Sequence, residues 1–270
     1  MSACVSQFWR DPGVPFIEAR QVSDGRLVCY EPHSHDSFSI GAITAGRSGY
    51  LNRQHRQQVE QGTLVLMNPG DVHACNPLAN QPWAYRMLYV DTPWLTRLQQ
   101  ESGLHGGEGF AHFSSIATTN AHLFAGLNIL YETLVAPQAD SLLKHSVAVD
   151  FFTRLQQQVG LADGKLDGNP LKLDRAAQYI RAHCTRALGL DDICAQAQLS
   201  PSYLIRAFKS HYGLTPHAYL TDCRIRFARQ CLRQGDSIAD AALQAGFADQ
   251  AHLQRAFKRS LAMTPGHYRG

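Results

Sequence analysis

Two pairs of basic residues near the end of the chain have the type and spacing for binding a polyanion. Arg206 and Lys209 lie three positions apart in the segment LIRAFK, and Arg255 and Lys258 repeat that spacing in LQRAFK. An arginine can donate two hydrogen bonds to O6 and N7 of guanine, and a lysine can contact a phosphate. One such pair is equally typical of the solvated face of an amphipathic helix, but two matched copies favour recognition of DNA.

The two pairs belong to an internal repeat. When the sequence is compared with itself at an offset of 49, Leu-x-Arg-Ala-Phe-Lys at 204–209 matches 253–258, and Thr-Pro-x-x-Tyr at 215–219 matches 264–268. Eight of the sixteen positions from 204 to 219 are identical to their counterparts. Such self-similarity at a constant offset indicates a duplicated supersecondary unit.

Each copy has the pattern of two helices joined by a short turn. In the first copy Ser200 can cap a new helix whose first residue is Pro201. In the second copy Gly246 permits the turn and Asp249 can cap the next helix. The sequence therefore predicts two helix-turn-helix motifs, at about 190–211 and 237–260, joined by a helix over 216–233. At 1.5 Å per residue that helix spans about 27 Å, near the ~34 Å of one DNA turn.

Charge divides the chain into two parts. Residues 1–169 contain 11 Lys and Arg against 15 Asp and Glu, a net of −4, and residues 170–270 contain 14 against 7, a net of +7; together they give +3. The segment GLADGKLDGNP at 160–170 combines glycines and charges with few apolar residues, which is typical of a linker. We therefore expect a domain over 1–160, a linker over 161–170 and a basic domain over 171–270.

Composition excludes several classes of protein. With 44% hydrophobic and 17% charged residues, the chain is neither a long disordered protein nor a collagen or coiled-coil array. It has no apolar run long enough to cross a bilayer and no signal-peptide core, so we expect a cytoplasmic protein without a membrane partner. The seven cysteines lack the C-x-x-C spacing of a metal or redox motif and are expected to be reduced thiols.

The first 160 residues change pattern near Pro93. Short β-segments separated by Gly, Pro, Asn and Asp run from about residue 27 to residue 90, which favours a sandwich or barrel. Apolar residues then recur at helical spacing on two segments. We expect two helices packed on the β-unit or on a second subunit, with dimerisation through 120–158. The residues on these two faces are Leu123, Leu127, Leu130 and Leu134, then Leu142, Val149, Phe152 and Leu155.

The basic part of the chain resembles the AraC/XylS family of bacterial transcription regulators. The resemblance covers about 171–269 and rests on LSPSYLIRAFKSHYGLTPHAYL at 199–220, RIRFARQCL at 224–232, SIADAALQAGFADQAHLQRAFKR at 237–259 and TPGHYR at 264–269. It implies a seven-helix domain that binds asymmetric promoter sites in double-stranded DNA and usually activates transcription through RNA polymerase. One departure is Ala262, which stands where the family's second turn normally has glycine.

The resemblance also assigns DNA-contacting positions. Base contacts are implied at three positions of the first motif and four of the second, and the paired lysines are expected on phosphates. These DNA-binding residues are Ser202, Ile205, Arg206, Lys209, Gln250, Ala251, Gln254, Arg255 and Lys258.

Part of the first domain resembles a cupin barrel. His33-x-His35 and Gly62-x5-Asn68-x-Gly70-x2-His73 are similar to the two cupin motifs over about 25–90. In metal-binding cupins the three histidines and a glutamate hold a divalent ion, but Ser39 stands at the glutamate position. A three-histidine zinc site is still chemically feasible. Regulators of this type usually bind organic effectors without metal, so we expect no cofactor and a ligand pocket or a packed barrel mouth instead.

These expectations combine into one reading with two alternatives. The chain is expected to be an α+β protein: a cupin-like barrel with packed helices that binds a small-molecule effector and forms a homodimer, followed by an all-α DNA-binding domain. The alternatives are a metal-dependent cupin enzyme tethered to DNA, and a module whose basic helices bind a protein. The effector-binding residues are expected to be His33, His35, Tyr50, His73 and Arg86, with Tyr30 and Tyr89 as further strand residues that could face the pocket. An inward Arg86 would favour a ligand that carries a carboxylate.

Overall fold

The computed structural model describes residues 6–26, 28–78, 81–103, 105, 107, 109–162 and 170–269. An antiparallel sheet with three packed helices forms the N-terminal part, and seven helices form the C-terminal part. The expected α+β fold with an N-terminal barrel-like unit and a C-terminal helical domain is confirmed. Most of the predicted linker, residues 163–169, lies outside the described residues, and α4 begins at Pro170.

The described strands form one antiparallel sheet with the order β1-β2-β7-β3-β5-β8, and β4 and β6 both pair with the far half of β3. The long strand β3 therefore joins the two halves of the barrel-like unit, which remains an open sheet rather than a closed ring. The strand bounds are β1 Ser6–Trp9, β2 Ile17–Val22, β3 Phe38–Asn52, β4 His55–Glu60, β5 Leu64–Met67, β6 His73–Pro77, β7 Trp83–Val90 and β8 Ala117–Thr118.

A glycine allows β3 to bend between the two halves. Gly46 has φ +69°, and a Cβ at this position would lie 2.1 Å from the carbonyl oxygen of Pro82. Only glycine accepts both the left-handed conformation and so close a backbone. Residues 28–30 form no strand, so the β-segment expected at 27–30 is wrong over its described part; Asn76 instead accepts a hydrogen bond from the Tyr30 amide.

Three helices cover one face of the sheet: α1 Thr92–Glu101, α2 Ala121–Val135 and α3 Ser141–Val159. The four leucines predicted on one face of α2 are all buried in the core beneath the sheet. On α3, Phe152 and Leu155 are buried as expected, but Leu142 is 77% exposed. Leu142 lies about 120° around the helix from buried Ala148, so within one chain it is not part of the buried face. Packing on a second subunit, the other partner expected for this face, stays a prediction.

The C-terminal part contains seven described helices, the number that the family resemblance implies. The first helix-turn-helix unit is α5–α6 and the second is α8–α9, and α7 connects them. Each unit buries its own apolar cluster. The helix bounds are α4 Pro170–His183, α5 Leu190–Ala197, α6 Pro201–Tyr212, α7 Pro216–Arg233, α8 Ile238–Gln244, α9 Gln250–Leu261 and α10 Pro265–Arg269.

The turn residues behave largely as their chemistry predicts. The Asp249 carboxylate accepts a hydrogen bond from the His252 amide at 2.6 Å and caps α9. Ser200 has the extended backbone of a cap, but its side chain makes no capping hydrogen bond to α6. Ala262 ends α9 with φ 54°, in the left-handed region that favours glycine. Within the described residues, no helix is both long and apolar enough to cross a membrane.

Candidate functional site

The outer faces of α6 and α9 form the first candidate site. Both helices bury the apolar face that the repeat predicts, through Leu204 and Phe208 in α6 and through Leu253 and Phe257 in α9. The nine residues predicted to contact DNA lie on the opposite faces, and all nine are exposed. The fold therefore presents the duplicated residues to solvent on two helices.

The charges on these outer faces are available for a partner. Within the described ranges, Arg206, Lys209, Arg255 and Lys258 take part in no ion pair. The Arg206 guanidinium only donates to the Ser202 carbonyl one turn back, at 3.3 Å. Uncompensated cations on two exposed helices are the electrostatic arrangement that binds a phosphate backbone.

The arginines of α7 have a different role. Arg226 binds the Asp36 carboxylate, and Arg233 donates to Glu18 at 2.6 Å. Arg229 lies 4.0 Å from the same glutamate and donates to the Tyr268 hydroxyl at 3.2 Å. One face of α7 is therefore an ionic contact with the barrel domain.

The second candidate site is a small cavity inside the barrel-like unit. Its volume is about 30 Å³, room for one or two water molecules. It is lined by Arg20, Tyr30, His33, His35, Gly41, Ile43, Val65, His73, Cys75, Trp83, Tyr85, Met87, Tyr89 and Leu261.

Strand alternation decides which side chains reach this cavity. On β7, Tyr85, Met87 and Tyr89 line it, while Leu88 lies in the apolar core under the helices. Arg86 lies on the same face of β7 as Leu88, because side chains two positions apart on a strand point to the same side. The Arg86 guanidinium accordingly contacts Asn128 at 2.9 Å and Glu132 at 2.5 Å on α2.

The expected pocket residues therefore divide into two groups. His33, His35 and His73 meet in the cavity, and Tyr30 and Tyr89 join them. Tyr50 and Arg86 do not line this cavity, and their role in effector binding stays a prediction. The Tyr50 hydroxyl donates to the Leu66 carbonyl at 2.7 Å within the barrel core, and Arg86 lies on the helix side of the sheet.

Sequence reasoning missed Arg20. This residue lies on β2, is 2% exposed and lines the cavity, and one of its guanidinium nitrogens is buried without a hydrogen-bond partner in the described part of the chain. The strand β2 was not among the expected β-segments, although the alternation of apolar Ile17 and Ala19 with charged Glu18 and Arg20 was the available signal.

Burial favours the neutral form of the three cavity histidines. Burial lowers the pKa of His33 and of His35 well below the usual value, and the neighbouring His73 adds to the effect. Burial also lowers the pKa of His73. Neutral imidazole is the form that accepts a hydrogen bond or binds a metal ion.

The C-terminal domain closes the cavity. Among the described residues, Leu261 at the end of α9 is the one lining residue that the helical domain contributes. Arg20 donates to the Leu261 carbonyl at 3.5 Å, and the Glu31 amide donates to the Arg259 carbonyl at 3.1 Å. The C-terminal end of α9 is thus packed against the cavity and the loop before His33.

Two buried carboxylates lie between the domains and have opposite pKa shifts. For Glu18, burial acts to raise the pKa, but Arg229, Arg10 and Arg233 together outweigh it, so the pKa is lowered. For Asp222, burial raises the pKa to about 6, although Ser34 donates to both carboxylate oxygens. The domain contact is therefore polar, buried and sensitive to protonation.

Three apolar side chains remain exposed on α2 and α3. Ile129 is 61% exposed, Leu142 77% and Leu143 50%. They lie on the segment 120–158 that the sequence predicts for dimerisation. Whether they form an interface is a prediction that the single chain leaves untested.

Two family models match this chain. A model described as an AraC-like ligand binding domain matches residues 19–146, and a model described as a helix-turn-helix domain matches residues 193–270. The second model spans both α6 and α9, and the first spans every residue of the barrel-like unit that lines the cavity.

Curated relatives match over most of their length. The transcriptional activator RhaS of Klebsiella pneumoniae is 32% identical over 250 residues, covering 87% of this chain and 86% of RhaS. The uncharacterised transcriptional regulator YbfI of Bacillus subtilis is 27% identical over 233 residues, covering 85% and 83%. The raffinose operon regulatory protein RafR of Pediococcus pentosaceus is 25% identical over 239 residues, covering 87% and 85%.

A solved structure has the same two-domain fold. The apo form of a single-residue variant of ToxT from Vibrio cholerae superposes with a TM-score of 0.61 at 15% identity, covering 94% of this chain and 97% of ToxT. At this identity the likeness concerns the fold.

Proposed function

Because this chain belongs to the AraC/XylS family of transcriptional regulators, we propose that it binds promoter DNA sequence-specifically and activates transcription in response to a small molecule. The observation that carries the proposal is the pair of exposed recognition helices, each with an unpaired arginine and lysine at the same spacing among the described residues. RhaS is named as an activator and covers nearly the same length, which supports activation. The proposed contact on the transcription machinery is RNA polymerase.

The two recognition helices are proposed to bind successive segments of the major groove. Arg206 and Arg255 would contact guanine edges, and Lys209 and Lys258 the adjacent phosphates. The connecting helix α7 has 18 residues and spans about 27 Å. That distance suits two helices one DNA turn apart, so a single chain would cover about two turns.

The effector is proposed to bind in the barrel cavity. At about 30 Å³ the cavity is far smaller than the roughly 300–1,000 Å³ of typical small-molecule sites. A larger ligand can therefore enter only if a wall moves, and Leu261 is the wall that belongs to the other domain. Ligand entry and the position of α9 are coupled by this contact.

Dimerisation is proposed through the exposed apolar residues of α2 and α3. Ile129, Leu142 and Leu143 would be covered by the same helices of a second copy. Sedimentation at micromolar concentration tests this: a dimer is expected, and Leu142→Glu should shift it to a monomer. A wild-type monomer at that concentration would overturn this part of the proposal.

No catalytic activity is proposed for the barrel. The relatives that match over most of its length are transcriptional regulators, and the cupin carboxylate position holds Ser39. The alternative of a metal-dependent enzyme has no observation in its favour beyond the three histidines.

A footprint of the untagged protein on the DNA upstream of its own and neighbouring genes tests the proposed function. Protection over about two helical turns per chain is expected. With two proposed phosphate contacts, those of Lys209 and Lys258, a rise from 50 to 200 mM salt should weaken binding about 10-fold. Uniform protection without preferred sites, or binding unaffected by salt, would overturn sequence-specific recognition by these helices.

A further inference from the structure

Three imidazole rings meet inside the barrel. One ring nitrogen of each of His33, His35 and His73 lies within 4.8 Å of the other two, and all three residues are buried. The ring centroids are 4.6 to 4.9 Å apart. We propose that these histidines bind a divalent transition-metal ion, zinc in particular, in the cavity that Leu261 closes.

The hydrogen bonds of two rings prepare them as ligands. His33 Nδ1 lies 2.9 Å from the Glu31 carbonyl oxygen, and His73 Nδ1 lies 2.9 Å from the Asp71 carbonyl oxygen. A carbonyl oxygen only accepts, so each Nδ1 carries the proton and each Nε2 presents its lone pair. Metal-bound histidines have this outer hydrogen bond to a carbonyl or carboxylate, which fixes the tautomer and the ring orientation.

The third ring supplies an independent sign of a missing partner. His35 Nδ1 is buried, and no hydrogen bond within the described residues reaches it. Nor does any hydrogen bond of the described part use Nε2 of His33 or His73. Buried polar atoms are normally paired because leaving one unpaired costs about 1–3 kcal/mol. An ion bound through His35 Nδ1 would remove that cost.

The backbone holds the first and last histidines together. The His33 amide donates to the His73 carbonyl at 3.1 Å, and the His73 amide donates back to His33 at 2.9 Å. Zinc bonds of about 2.05 Å in a tetrahedral site place ligand nitrogens about 3.3 Å apart. The ring nitrogens, which lie within 4.8 Å of one another, therefore have to approach by up to about 1.5 Å to close on an ion.

The size of the cavity decides between kinds of occupant. A volume of about 30 Å³ accommodates an ion with one or two water molecules, whereas an organic effector does not fit without movement of a wall. Three neutral nitrogen donors suit zinc and its neighbours in the first transition row, and zinc accepts three histidines with an open fourth position.

The charge of the residues around the cavity favours an anion as the fourth ligand of the proposed ion. The Arg20 guanidinium lines the same cavity, and no carboxylate of the described residues does. This positive surrounding disfavours a bare dication and favours an ion that carries an anion such as hydroxide or a small carboxylate. The open position is therefore expected to bind a small anion.

Metal binding gives the proposed regulator a defined signal. The regulatory part of the inference depends on the proposed function, whereas the metal site does not. The histidines and Leu261 line the same cavity, and Leu261 ends α9. Occupancy would thus be transmitted to α9 through one packed side chain.

The test uses the full-length untagged protein. After chelator treatment and dialysis, calorimetric titration with zinc should show one ion per chain, and cobalt should give the intense visible absorption of a tetrahedral site. X-ray absorption of the zinc form should show three imidazole nitrogens. Azide should change the cobalt spectrum if a fourth position is open.

Matched variants locate the site. His35→Asn and His73→Asn should each weaken binding by about 100-fold or more, because even loss of an outer-sphere partner costs 10–100-fold. His55→Asn removes an exposed histidine of β4 and should leave binding unchanged. Circular dichroism checks that each variant is folded. If a variant does not fold, the X-ray absorption spectrum of the wild type still decides the number of imidazoles.

Three results would overturn the proposal: no zinc bound by the wild type, a first shell without three imidazoles, or full binding in both cavity variants. DNA footprinting on the same samples separates the two claims. Zinc binding without any protected DNA would contradict the proposed function and leave the metal site standing. Protected DNA without zinc binding would do the reverse.

Discussion

The two helix-turn-helix units are copies in sequence but differ in what holds them. The first unit contacts the barrel through the Ser210 carbonyl, which accepts from Gln54, and through Val72, which packs into its apolar cluster. The second unit extends into the barrel itself, where Leu261 closes the histidine cavity and its backbone meets Arg20. The two units therefore have similar outer faces but different contacts with the barrel domain.

This difference distinguishes the proposed DNA recognition, common to both units, from its proposed regulation, which involves the second unit. Both units present an arginine and a lysine to solvent, so both can contribute to DNA affinity. Only the second has a side chain in the cavity, among the described residues, so a ligand there acts first on α9. The duplication supplies two similar surfaces, and among the described residues only the second unit lines the cavity where we propose that the effector binds.

The largest expected effect tests the equivalence of the outer faces. Arg206→Ala and Arg255→Ala should each cost about 1–3 kcal/mol of DNA-binding free energy, because each loses a bidentate base contact, and the double variant about 2–6 kcal/mol. Titration of a footprinted site at fixed salt measures this. Arg47→Ala, which removes an exposed barrel arginine, should have little effect. If one of the single variants binds DNA like the wild type, the arginine of that unit does not contact a base.

The next-largest effect tests the difference between the barrel contacts of the two units. Leu261→Ala should lower the free energy of unfolding by about 2–4 kcal/mol, since it removes a buried side chain and enlarges the cavity. Leu214→Ala truncates a similarly buried leucine in the cluster of the first unit. Urea unfolding should show comparable losses. Histidine ring NMR signals of His33, His35 and His73 should shift only in Leu261→Ala; equal shifts in both variants would contradict a specific contact of α9.

A pH effect tests the helix that joins the two units. The pKa of Asp222 on α7 is raised to about 6, so the folded state binds its proton more tightly than the unfolded state does. Its contribution to stability therefore grows as the pH falls through 6, by about 1 kcal/mol between pH 7 and pH 5. The buried histidines, whose pKa values are lowered, act in the opposite direction. The difference between wild type and Asp222→Asn in urea unfolding at the two pH values isolates the aspartate; an identical pH dependence would refute the assignment.

The smallest effect concerns the turns after the two recognition helices. Ala262 has φ 54° where the first unit has Gly213 at φ 75°. Ala262→Gly should stabilise the protein by about 0.5–1 kcal/mol, because it relieves the left-handed strain. Gly213→Ala should destabilise it, since the new Cβ would lie 3.3 Å from Val72 and adopt the same strained φ. Thermal melts of both variants measure the pair, and a lower melting temperature for Ala262→Gly would show that another contact decides.

Much of the helical domain could be predicted because its signals are local. The repeat, Pro201, Gly246 and Asp249 all act within a few residues, and the structure has the expected helices around them. The apolar spacing of α6 and α9 determined which side is buried and therefore which side is exposed. The family resemblance supplied the number of helices. The roles of the exposed residues in DNA binding stay predictions.

The barrel was harder to predict because a shift of one residue along a strand turns its side chains to the opposite face of the sheet. The histidines were found through their spacing, but Arg86 contacts α2 rather than the cavity, and Arg20 was missed together with β2. Leu142 is exposed in the single chain, so its packing on a second subunit stays a prediction.

The sequence by itself determined the two copies of the recognition helix, their exposed basic residues and the three histidines, because each follows from local spacing. The tertiary structure alone decided that Leu261 closes the cavity and that the arginines of α7 pair with the barrel. These contacts join residues far apart in the chain, 241 positions in the case of Arg20 and Leu261. No local periodicity records such a contact, since it arises only when two separately folded cores pack against each other.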